Sequence, residues 1–385
     1  MLKILAYSAA RSDFDRYYPL LKEINKSYRF NLKLIVGANH LSKKYGYTIS
    51  QIKKKDFNTI VLKNKIFRDS RINIIKNLSS EILEISKIIS KEKPNALILF
   101  GDRYDMLIGI AGIPYNLPII HFYGGAVTEG AIDEQVRHSI TKFSHLHLVA
   151  NKKYKKRILQ LGEEKWRVKT IGVPELMYLK KQTKMSIKEI SKITNLNFNK
   201  PTLMSTFHPE TLNIKKTEKN LKLMLKAIKR TDFQVVFSYP NADYKNSVII
   251  NIIKKFMKKN KKYKFITNAS PNLFSNLMRH SKGMIGNSSS GIVESSIFKI
   301  PSISLGNRQK GKEYEKNVLF IPFDENKIYN SLKKIKTKSF LNNVKKINSG
   351  YIASKSNEDV VNFLHRSLKQ KNILNKKFID YYEKN

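Results

Sequence analysis

Short apolar runs alternate with longer amphipathic stretches along this chain. In the first half, the runs with the length and boundaries of buried strands are KILAYSA, NLKLIVGA, NALILFGD and LPIIHFYGG. The stretches between them repeat apolar residues at helical spacing, as in DRYYPLLKEINKS and SSEILEISKIISKEKP. Strands and helices in alternation predict an α/β fold, in which helices cover both faces of a parallel sheet.

The same pattern starts again after about residue 180, and the 385 residues are sufficient for two separate cores. We therefore predict two Rossmann-like, doubly wound domains, at residues 1–178 and 179–365. Ligands of such sheets bind beyond the carboxyl ends of the strands, and the polar clusters of both halves lie at those ends. We expect the two domains to face one another across a central cleft.

The formal charge of +43 is the strongest compositional feature. Lysines and arginines are spread along the chain beside much isoleucine and asparagine, which favours a lysine-coated surface over a dedicated site for a polyanion. The segment from Ala96 to Ala150 differs, because its five acids and three bases give it a charge of −2. Such a segment suits a catalytic pocket better than a nucleic-acid groove, so we expect no specific nucleic-acid partner.

The absence of cysteine excludes disulfides, thiolate nucleophiles and cysteine-ligated zinc, and fits a reducing cytoplasm. The apolar run at the N-terminus is too short for a signal peptide or a transmembrane segment. No H-E-x-x-H spacing occurs either. We expect a cytoplasmic protein that uses neither a metal ion nor a cofactor.

A candidate phosphate site is the segment GNSSSGIVESSIF, which follows the apolar run GMI. Small residues before a helix let backbone N–H groups approach an anion, and the hydroxyls of Ser288, Ser289 and Ser290 add donors. Gly291 begins the helical pattern, and Glu294 follows one turn later, where it can accept hydrogen bonds from ribose hydroxyls. The alternative interpretation is a group of serines that caps a helix.

The segment is neither a Walker loop nor the dinucleotide fingerprint G-x-G-x-x-G, which disfavours an NTPase or an NAD enzyme. Arg308 in GNRQKG follows another predicted strand, where its guanidinium can fork onto a phosphate.

Eight motifs occur in the order and spacing of a known family: FGDRYD, HFYGG, TEGAIDEQVRHSITKFSHLHLVAN, RILQLGEE, TIGVPEL, FHPET, GNSSSGIVE and GNRQKG. Nearly the whole chain resembles the UDP-N-acetylglucosamine 2-epimerase family, most closely its hydrolysing branch, which makes sugars for sialic and legionaminic acids of surface polysaccharides. The resemblance implies a GT-B-like fold with the nucleotide sugar in the cleft. It also implies a last helix that crosses back to the first domain, expected at residues 366–385, and a homodimer, since dimers are common in the family.

The resemblance implies a reaction that explains the local acidity. Family members eliminate the nucleoside diphosphate to form a 2-acetamidoglycal, and hydrolysing members then add water so that C2 is inverted. This chemistry needs a base, an acid and stabilisation of the departing diphosphate.

Residue by residue, Asp102 and Asp133 match the catalytic carboxylates of the family. Arg11 matches an arginine near the phosphates and His208 a histidine at the diphosphate, and Ser289, Ser290 and Glu294 match its phosphate and ribose contacts. The alternatives are a helix N-cap for Asp102 and a buried, hydrogen-bonded histidine for His208.

Further side chains near Asp133 belong to the same predicted site. We place Glu134 and Arg137 among the substrate-binding residues and expect Arg137 and His138 to orient Asp133, since an arginine beside a carboxylate keeps it ionised. His145 and His147 alternate along an apparent strand and are interpreted as structural.

Two positions depart from the family pattern. Many members carry glutamates at the positions of Tyr123 and Ala126, and Glu129 lies in a slightly longer loop here. Tyr123 is retained as a candidate catalytic residue, although a phenol with a pKa near 10 is a poor base. The substitutions indicate a different sugar, such as the 2,4-diacetamido-2,4,6-trideoxy sugar N,N'-diacetylbacillosamine.

Other functions remain open from the residues alone. One is a GT-B glycosyltransferase or a non-hydrolysing epimerase that acts on a nucleotide sugar, and another is a polyanion-binding protein on an inactive scaffold. Release of nucleoside diphosphate and free sugar without an acceptor favours the hydrolysing epimerase, and salt-sensitive retention of DNA favours the last. The sequence does not distinguish UDP from GDP.

Overall fold

The structure is a computed structural model that describes residues 1–43, 47–63, 70–240, 243–258, 260–352 and 356–380. Its contacts divide the chain into two compact units. Unit 1 comprises Met1–Ala126, Ile132–Glu175 and Tyr351–Asn385, and unit 2 comprises Val127–Ala131 and Leu176–Gly350.

Unit 1 is built on a seven-stranded parallel sheet with the strand order β3-β2-β1-β4-β5-β6-β7. The strands are β1 (Leu2–Ser8), β2 (Phe30–Val36), β3 (Asn58–Val61), β4 (Ala96–Phe100), β5 (Ile119–Phe122), β6 (Leu146–Val149) and β7 (Val168–Thr170). The central strand β4 reads ALILF and is buried throughout, as expected for a strand with both faces covered. The strand order reverses between β1 and β4, which is where ligands of doubly wound sheets bind.

Among the described residues, the helices that lie between the strands of the first sheet are α1 (Arg11–Lys26), α2 (Ile49–Lys53), α3 (Arg71–Glu92), α4 (Asp133–Phe143) and α5 (Lys152–Gln160). The segment Tyr104–Tyr115, for which the sequence predicted a helix, forms a 3₁₀ helix. Gly109 in this segment packs closely on Leu99 and Phe143, with no room for a Cβ atom. Apolar residues of α3, the 3₁₀ helix and α4 pack against one face of the sheet and form a buried core there.

Unit 2 repeats the architecture with a six-stranded parallel sheet of order β10-β9-β8-β11-β12-β13. Its strands are β8 (Thr202–Thr206), β9 (Gln234–Ser238), β10 (Tyr263–Ile266), β11 (Gly283–Gly286), β12 (Ser302–Leu305) and β13 (Val318–Ile321). The order reverses between β8 and β11, so the candidate phosphate segment after β11 lies at this second reversal.

The helix α6 (Pro174–Lys180) contains the boundary between the units, and the helices of the described part of unit 2 follow it. These are α7 (Ile187–Thr194), α8 (Thr217–Lys229), α9 (Asn246–Met257), α10 (Pro271–His280), α11 (Val293–Phe298), α12 (Glu325–Lys334) and α13 (Lys338–Lys345). The predicted fold class, two doubly wound α/β domains with parallel sheets, is therefore confirmed. Across the described residues, no helix combines the length and the apolar character that a membrane span requires.

The C-terminal segment differs from the expected helix at residues 366–385. The last helix is α14 (Asn357–Leu368), which belongs to unit 1 and packs against α1. Residues 369–380 then continue without helix or strand, and residues 381–385 lie outside the described part of the chain. Arg167 donates to the carbonyl oxygens of Asn372, Ile373 and Asn375, so these groups bond to a side chain instead of closing helical turns.

Candidate functional site

Three predicted site residues of unit 1 follow neighbouring strands of its sheet. Arg11 begins the helix after β1, Asp102 lies two residues beyond β4, and Tyr123 directly follows β5. Because β1, β4 and β5 are adjacent and parallel, their carboxyl ends bring these residues to one edge of the sheet. The fourth, Asp133, is the first residue of α4, the helix that follows β5.

Asp102 is held by a fully buried arginine. Arg137 of α4 forms an ion pair with the Asp102 carboxylate, and its Nη1 atom donates to Glu134 at 2.5 Å and to the Ala126 carbonyl at 3.0 Å. Burial lowers the pKa of Arg137, but Asp102 and Glu134 raise it, so the guanidinium stays charged. Arg103, not Asp102, occupies the N-cap position of the following 3₁₀ helix, so the alternative role for Asp102 is not found.

His121 supports the turn that carries Asp102, a role the sequence analysis missed. Its Nε2–H donates to the Gly101 carbonyl at 2.8 Å, and its Nδ1 atom lies 3.3 Å from the Thr141 hydroxyl. Burial lowers the pKa of His121 to about 3, so the ring is neutral at physiological pH. A histidine two residues before Tyr123 was visible in the motif HFYGG, but nothing in the sequence linked it to Gly101.

Tyr123 has a backbone conformation that is rare for a residue with a side chain. Its φ of 73° lies in the left-handed region, and its ring centroid lies 5.3 Å from that of Phe100. The guanidinium of Arg16 lies 5.9 Å from the ring centroid and 3.7 Å from the Glu175 carboxylate. A strained residue at a sheet edge is typical of a functional position, because the surrounding structure must hold it there.

The glycine pair of HFYGG lets the loop pass close to α5. A Cβ atom on Gly124 would lie 3.0 Å from both His121 and Ile158, and one on Gly125 would collide with the Tyr154 carbonyl. Gly125 also has a positive φ of 78°. The pair therefore keeps Tyr123 at the sheet edge by permitting a close approach that larger residues would prevent.

Glu134 connects two of the expected orienting residues. Its Oε1 atom lies 3.0 Å from Nε2 of His138, and its other oxygen accepts from Arg137. Arg137 and His138 were expected to orient Asp133. Both bond to Glu134, Arg137 also pairs with Asp102, and the nearby charge of Asp133 helps to raise the pKa of Arg137. The other histidines of this region are structural, as interpreted: His147 is buried against Glu163 at 3.0 Å.

Unit 2 gathers its predicted site residues in the same way. His208 lies two residues beyond β8, the segment from Ser288 to Gly291 follows β11, and Arg308 follows β12. Since β8, β11 and β12 are neighbours in the sheet, their carboxyl ends bring the three groups to one edge. Glu294 lies in the first turn of α11 and is buried.

The serines divide between the two interpretations. Ser288 caps the 3₁₀ turn Ser289–Gly291, because its hydroxyl accepts from the N–H group of Ser290 at 3.3 Å. Ser288 thus has the capping role that was the alternative interpretation. Ser289 and Ser290 are half-buried, and Gly291 is buried with its α-carbon so close to Ser302 that a Cβ would lie 2.6 Å from the hydroxyl.

Arg308 is a buried cation without a carboxylate partner within salt-bridge distance in the described part of the chain. Its Nη1 atom donates to the Asn287 carbonyl at 3.2 Å, and its Nε atom is buried with no hydrogen-bond partner among the described residues. Because no carboxylate lies within salt-bridge distance among the described residues, the buried guanidinium is suited to an anionic ligand.

Asn287 connects the groups at this edge and was not singled out from the sequence. Its side chain accepts from the His208 N–H at 2.7 Å and donates to the His208 carbonyl at 2.9 Å. Its own carbonyl accepts from Arg308 and, at 3.0 Å, from Nε2 of Gln309. The sequence signal was the asparagine that directly precedes the three serines.

Within unit 2, the short segment Val127–Ala131 packs on the loop that carries Arg308. The N–H group of Glu129 donates to the Lys310 carbonyl at 3.3 Å, and their side chains lie 3.5 Å apart. A Cβ atom on Gly130 would lie 2.7 Å from the Arg308 α-carbon. Within unit 2, Glu129 therefore contacts the loop that follows β12.

Groups of three or more histidines, aspartates or glutamates with metal-binding geometry are absent from the described residues. The buried side chains of His208 and Arg308 follow the two strands that neighbour β11, the strand before the serine segment. The candidate site of unit 2 consists of side-chain and backbone hydrogen-bond donors at the carboxyl ends of its central strands.

A doubly wound α/β unit whose polar groups gather where the strand order reverses is the architecture of nucleotide-binding proteins. Residues 22–365 match the family description "UDP-N-acetylglucosamine 2-epimerase". The chain belongs to this family, and the resemblance inferred from the sequence is confirmed.

Two relatives are named as hydrolysing enzymes. The GDP/UDP-N,N'-diacetylbacillosamine 2-epimerase (hydrolyzing) of Campylobacter jejuni is 34% identical over 381 residues, which cover 98% of this chain and 99% of the relative. The UDP-N,N'-diacetylbacillosamine 2-epimerase (hydrolyzing) of Legionella pneumophila is 28% identical over 320 residues, covering 82% and 84% of the two chains.

The fold also matches solved structures. The UDP-GlcNAc 2-epimerase of Neisseria meningitidis, in a crystal structure with UDP-GlcNAc bound, superposes with a TM-score of 0.81 at 16% identity. The match covers 95% of this chain and all of the other. At this level of identity the comparison establishes the shared fold.

Proposed function

We propose that this protein is a hydrolysing 2-epimerase of a nucleotide-linked N-acetylated hexosamine. The observation that carries the proposal is the ion pair between Asp102 and the buried Arg137, at the carboxyl edge of the sheet beside Tyr123 and Arg11. It provides a carboxylate with a fixed orientation, as proton abstraction from C2 of a sugar requires. Family membership supports the reaction class.

The proposed reaction proceeds in two stages. In the first, a base removes the C2 proton while the C1–O bond breaks, so that its electron pair leaves with the nucleoside diphosphate and a C1=C2 double bond forms. In the second, water supplies a hydroxyl to C1 and a proton is delivered to C2 on the opposite face. One water is consumed, and the products are the nucleoside diphosphate and the free C2-inverted sugar.

The candidate carboxylates of unit 1 carry the proton transfers. We assign the base to Asp102, because its ion pair with Arg137 fixes the carboxylate at the sheet edge. Proton delivery on the opposite face falls to Asp133, at the start of α4, which recovers its proton from solvent. Tyr123 contributes its ring to the sugar site, and its hydroxyl serves as a relay through water.

The candidate residues of unit 2 bind the nucleotide. Arg308 supplies the buried positive charge for the diphosphate, beside His208 and the half-buried hydroxyls of Ser289 and Ser290. Glu294 accepts from the ribose hydroxyls. Arg11 of unit 1 adds a cation for the phosphates, and its Nε atom lies 3.9 Å from Asp15. This supply of cations stabilises the departing diphosphate as charge develops on it.

N,N'-diacetylbacillosamine is the sugar that best fits two substitutions. At positions where many family members carry glutamates, this chain has the ring of Tyr123 and the methyl group of the buried Ala126. Both changes make the neighbourhood less polar, which suits a sugar that has lost its C6 hydroxyl and gained a second acetamido group. The names of the Campylobacter and Legionella relatives support the same substrate class.

The activity test offers the protein UDP-N,N'-diacetylbacillosamine, its GDP counterpart and UDP-N-acetylglucosamine, with no acceptor present. We expect release of nucleoside diphosphate together with free C2-inverted sugar, fastest with a diacetylbacillosamine substrate. A nucleotide sugar converted to its C2 epimer without release would identify a non-hydrolysing epimerase. Turnover only after an acceptor glycan is added would identify a glycosyltransferase.

A homodimer is the proposed assembly, formed through an apolar face of unit 1. This face consists of exposed side chains on α3 and on the 3₁₀ helix that packs against it: Ile72, Ile75, Leu83, Ile110, Ile113 and Tyr115. Large exposed apolar patches commonly mark protein interfaces. Light scattering should detect a dimer that Leu83→Glu dissociates, and a monomeric wild type would contradict the proposal. The proposed location is the cytoplasm, because a chain without cysteine suits a reducing compartment.

A further inference from the structure

Asn287 joins three neighbouring strand ends of unit 2. It directly follows β11, and its side chain bonds to His208, just beyond β8. Its main-chain carbonyl accepts from Arg308 and Gln309, which follow β12. Asn287 is fully buried, and the other three residues are buried as well.

The main-chain N–H group of Asn287 adds one hydrogen bond between β8 and β11 beyond the ends of these strands. β8 and β11 pair in parallel up to Thr206 and Gly286, and the Asn287 N–H still donates to the Thr206 carbonyl at 3.2 Å. Beyond that point the asparagine side chain offers its donor and its acceptor to the His208 backbone, as a neighbouring strand would. The His208 backbone is therefore fixed where the chain turns away from the sheet.

Gly286 makes this geometry accessible. Its φ of 145° is permitted to glycine, and a Cβ atom there would collide with the Thr206 carbonyl. The close approach of the two strand ends brings Asn287 within reach of His208. In the motif GNSSSG, the glycine thus permits the close approach of the strand ends, the asparagine bonds to the His208 backbone, and the serines form the following turn.

Two donors converge on the Asn287 carbonyl from the neighbouring loop. Nη1 of Arg308 lies at 3.2 Å and Nε2 of Gln309 at 3.0 Å. These bonds use one N–H group of the Arg308 guanidinium and leave Nε without a partner among the described residues. Asn287 therefore orients a buried cation whose Nε–H group has no hydrogen-bond partner among the described residues.

We propose that Asn287 is a positioning residue for the diphosphate, which holds His208 and Arg308 in fixed relation to one another. This inference rests on the proposed nucleotide-sugar function. Asn287 touches no phosphate itself; it acts through the two residues it bonds. Without its side chain, the buried N–H and carbonyl of His208 lose these partners, and the Asn287 carbonyl that accepts from Arg308 is no longer tied to the His208 backbone.

The test compares the affinities of UDP and UMP for each variant by calorimetry, with GDP and GMP in parallel. If His208 and Arg308 bind the diphosphate, the wild type binds UDP more tightly than UMP. In Asn287→Ala that preference should shrink by about tenfold, because the two buried hydrogen bonds that hold the His208 backbone are lost. UMP affinity should change far less.

Asn287→Asp provides a second, isosteric variant. It preserves the acceptor for the His208 N–H but places an oxygen against the His208 carbonyl, so it should lose the preference for UDP as Asn287→Ala does. Asn317→Ala is the matched control. Asn317 is equally buried in unit 2, and its amide donates to Ser295 at 2.9 Å and to the Ile300 carbonyl at 2.8 Å. Its loss should lower stability but leave the preference unchanged.

The outcomes separate this inference from the function on which it rests. A wild type that binds neither UDP nor GDP refutes the proposed function. A wild type that prefers UDP, with Asn287→Ala and Asn287→Asp that keep the preference, overturns the positioning role and leaves the function standing. The same result follows if Asn317→Ala loses the preference to the same extent, because the effect would then reflect general loosening of the core.

Discussion

Asp102 and Arg137 form an ion pair in which only the carboxylate reaches solvent: the Arg137 side chain is 0% exposed and that of Asp102 is 29% exposed. The arginine is thus a fixed internal anchor, and the carboxylate is presented at the sheet edge. Glu134 and the Ala126 carbonyl share the same guanidinium, so the start of α4 and the turn after β4 are bonded to one group.

Removal of either catalytic charge should abolish most turnover and preserve nucleotide binding. Asp102→Asn and Asp133→Asn nearly keep the shape of the side chain but remove its capacity to transfer a proton. Turnover should fall by about 10²–10⁴-fold, typical of a lost general acid or base, with little change in UDP affinity. Normal turnover in both variants would show that the catalytic assignment is wrong.

Tyr123→Phe separates a hydroxyl relay from a shape element. The ring contacts with Phe100 and Arg16 do not need the hydroxyl, so the variant should fold normally. We expect a smaller loss of kcat than in Asp102→Asn, about tenfold or less, because water can replace a relay. A loss as large as that of the aspartate variants would instead assign proton transfer to the Tyr123 hydroxyl.

Arg308→Ala should remove most of the stabilisation that a nucleoside diphosphate confers. At a hundred times its Kd, UDP should stabilise the wild type by about 2.7 kcal/mol and raise the Tm by about 5 °C. Lys310→Ala is the control, because Lys310 lies two residues away but its side chain is 63% exposed. Equal thermal shifts in the wild type and Arg308→Ala would exclude the diphosphate role of Arg308.

The buried carboxylate of Glu163 should make the fold sensitive to acid. Burial alone would raise the pKa of Glu163, but hydrogen bonds from His147, Lys376 and Lys142 lower it to about 2. Because the folded-state pKa lies below the ordinary value of 4.5, this contribution is fully present above pH 4.5 and is lost as the pH falls towards 2. Its size is roughly 3 kcal/mol.

Urea unfolding of the wild type and Glu163→Gln at several pH values measures this contribution. The difference in unfolding free energy should be large at pH 7 and should shrink between pH 4.5 and 2. Glu218→Gln is the control, since Glu218 forms an exposed pair with a lysine four residues on and should show almost no difference. A difference for Glu163→Gln that does not vary with pH would contradict the linkage.

The sequence predicted what depends on local pattern. Arg11, Asp102 and Tyr123 were identified as candidates, and apolar runs located the ends of β1, β4 and β5 just before them. The parallel sheets followed from the alternation of strands and helices. These features are local, because the apolar run of each strand and the periodic apolar face of each helix are contained in that element's own segment of sequence.

Contacts between distant residues had no such signal. Asn287 and His208 are 79 positions apart, and only the pairing of β8 with β11 brings the amide to that backbone. The left-handed φ of Tyr123 had no signal in the sequence either, because this conformation depends on how the two following glycines pack against α5. The prediction of a helix at 366–385 did not include Arg167, a residue distant in sequence. Its side chain donates to carbonyl groups that helical turns would use.

The most direct test of the account is the reaction in D₂O with the preferred diacetylbacillosamine nucleotide, followed by mass spectrometry and NMR of the free sugar. Elimination to a glycal and addition of solvent predict one deuterium at C2 of the inverted sugar, released together with unlabelled nucleoside diphosphate. Asp102→Asn should form the labelled sugar and the nucleoside diphosphate much more slowly than the wild type. A free sugar that keeps its original C2 proton and configuration would contradict the proposed 2-epimerase reaction, because C2 would not have taken part in it.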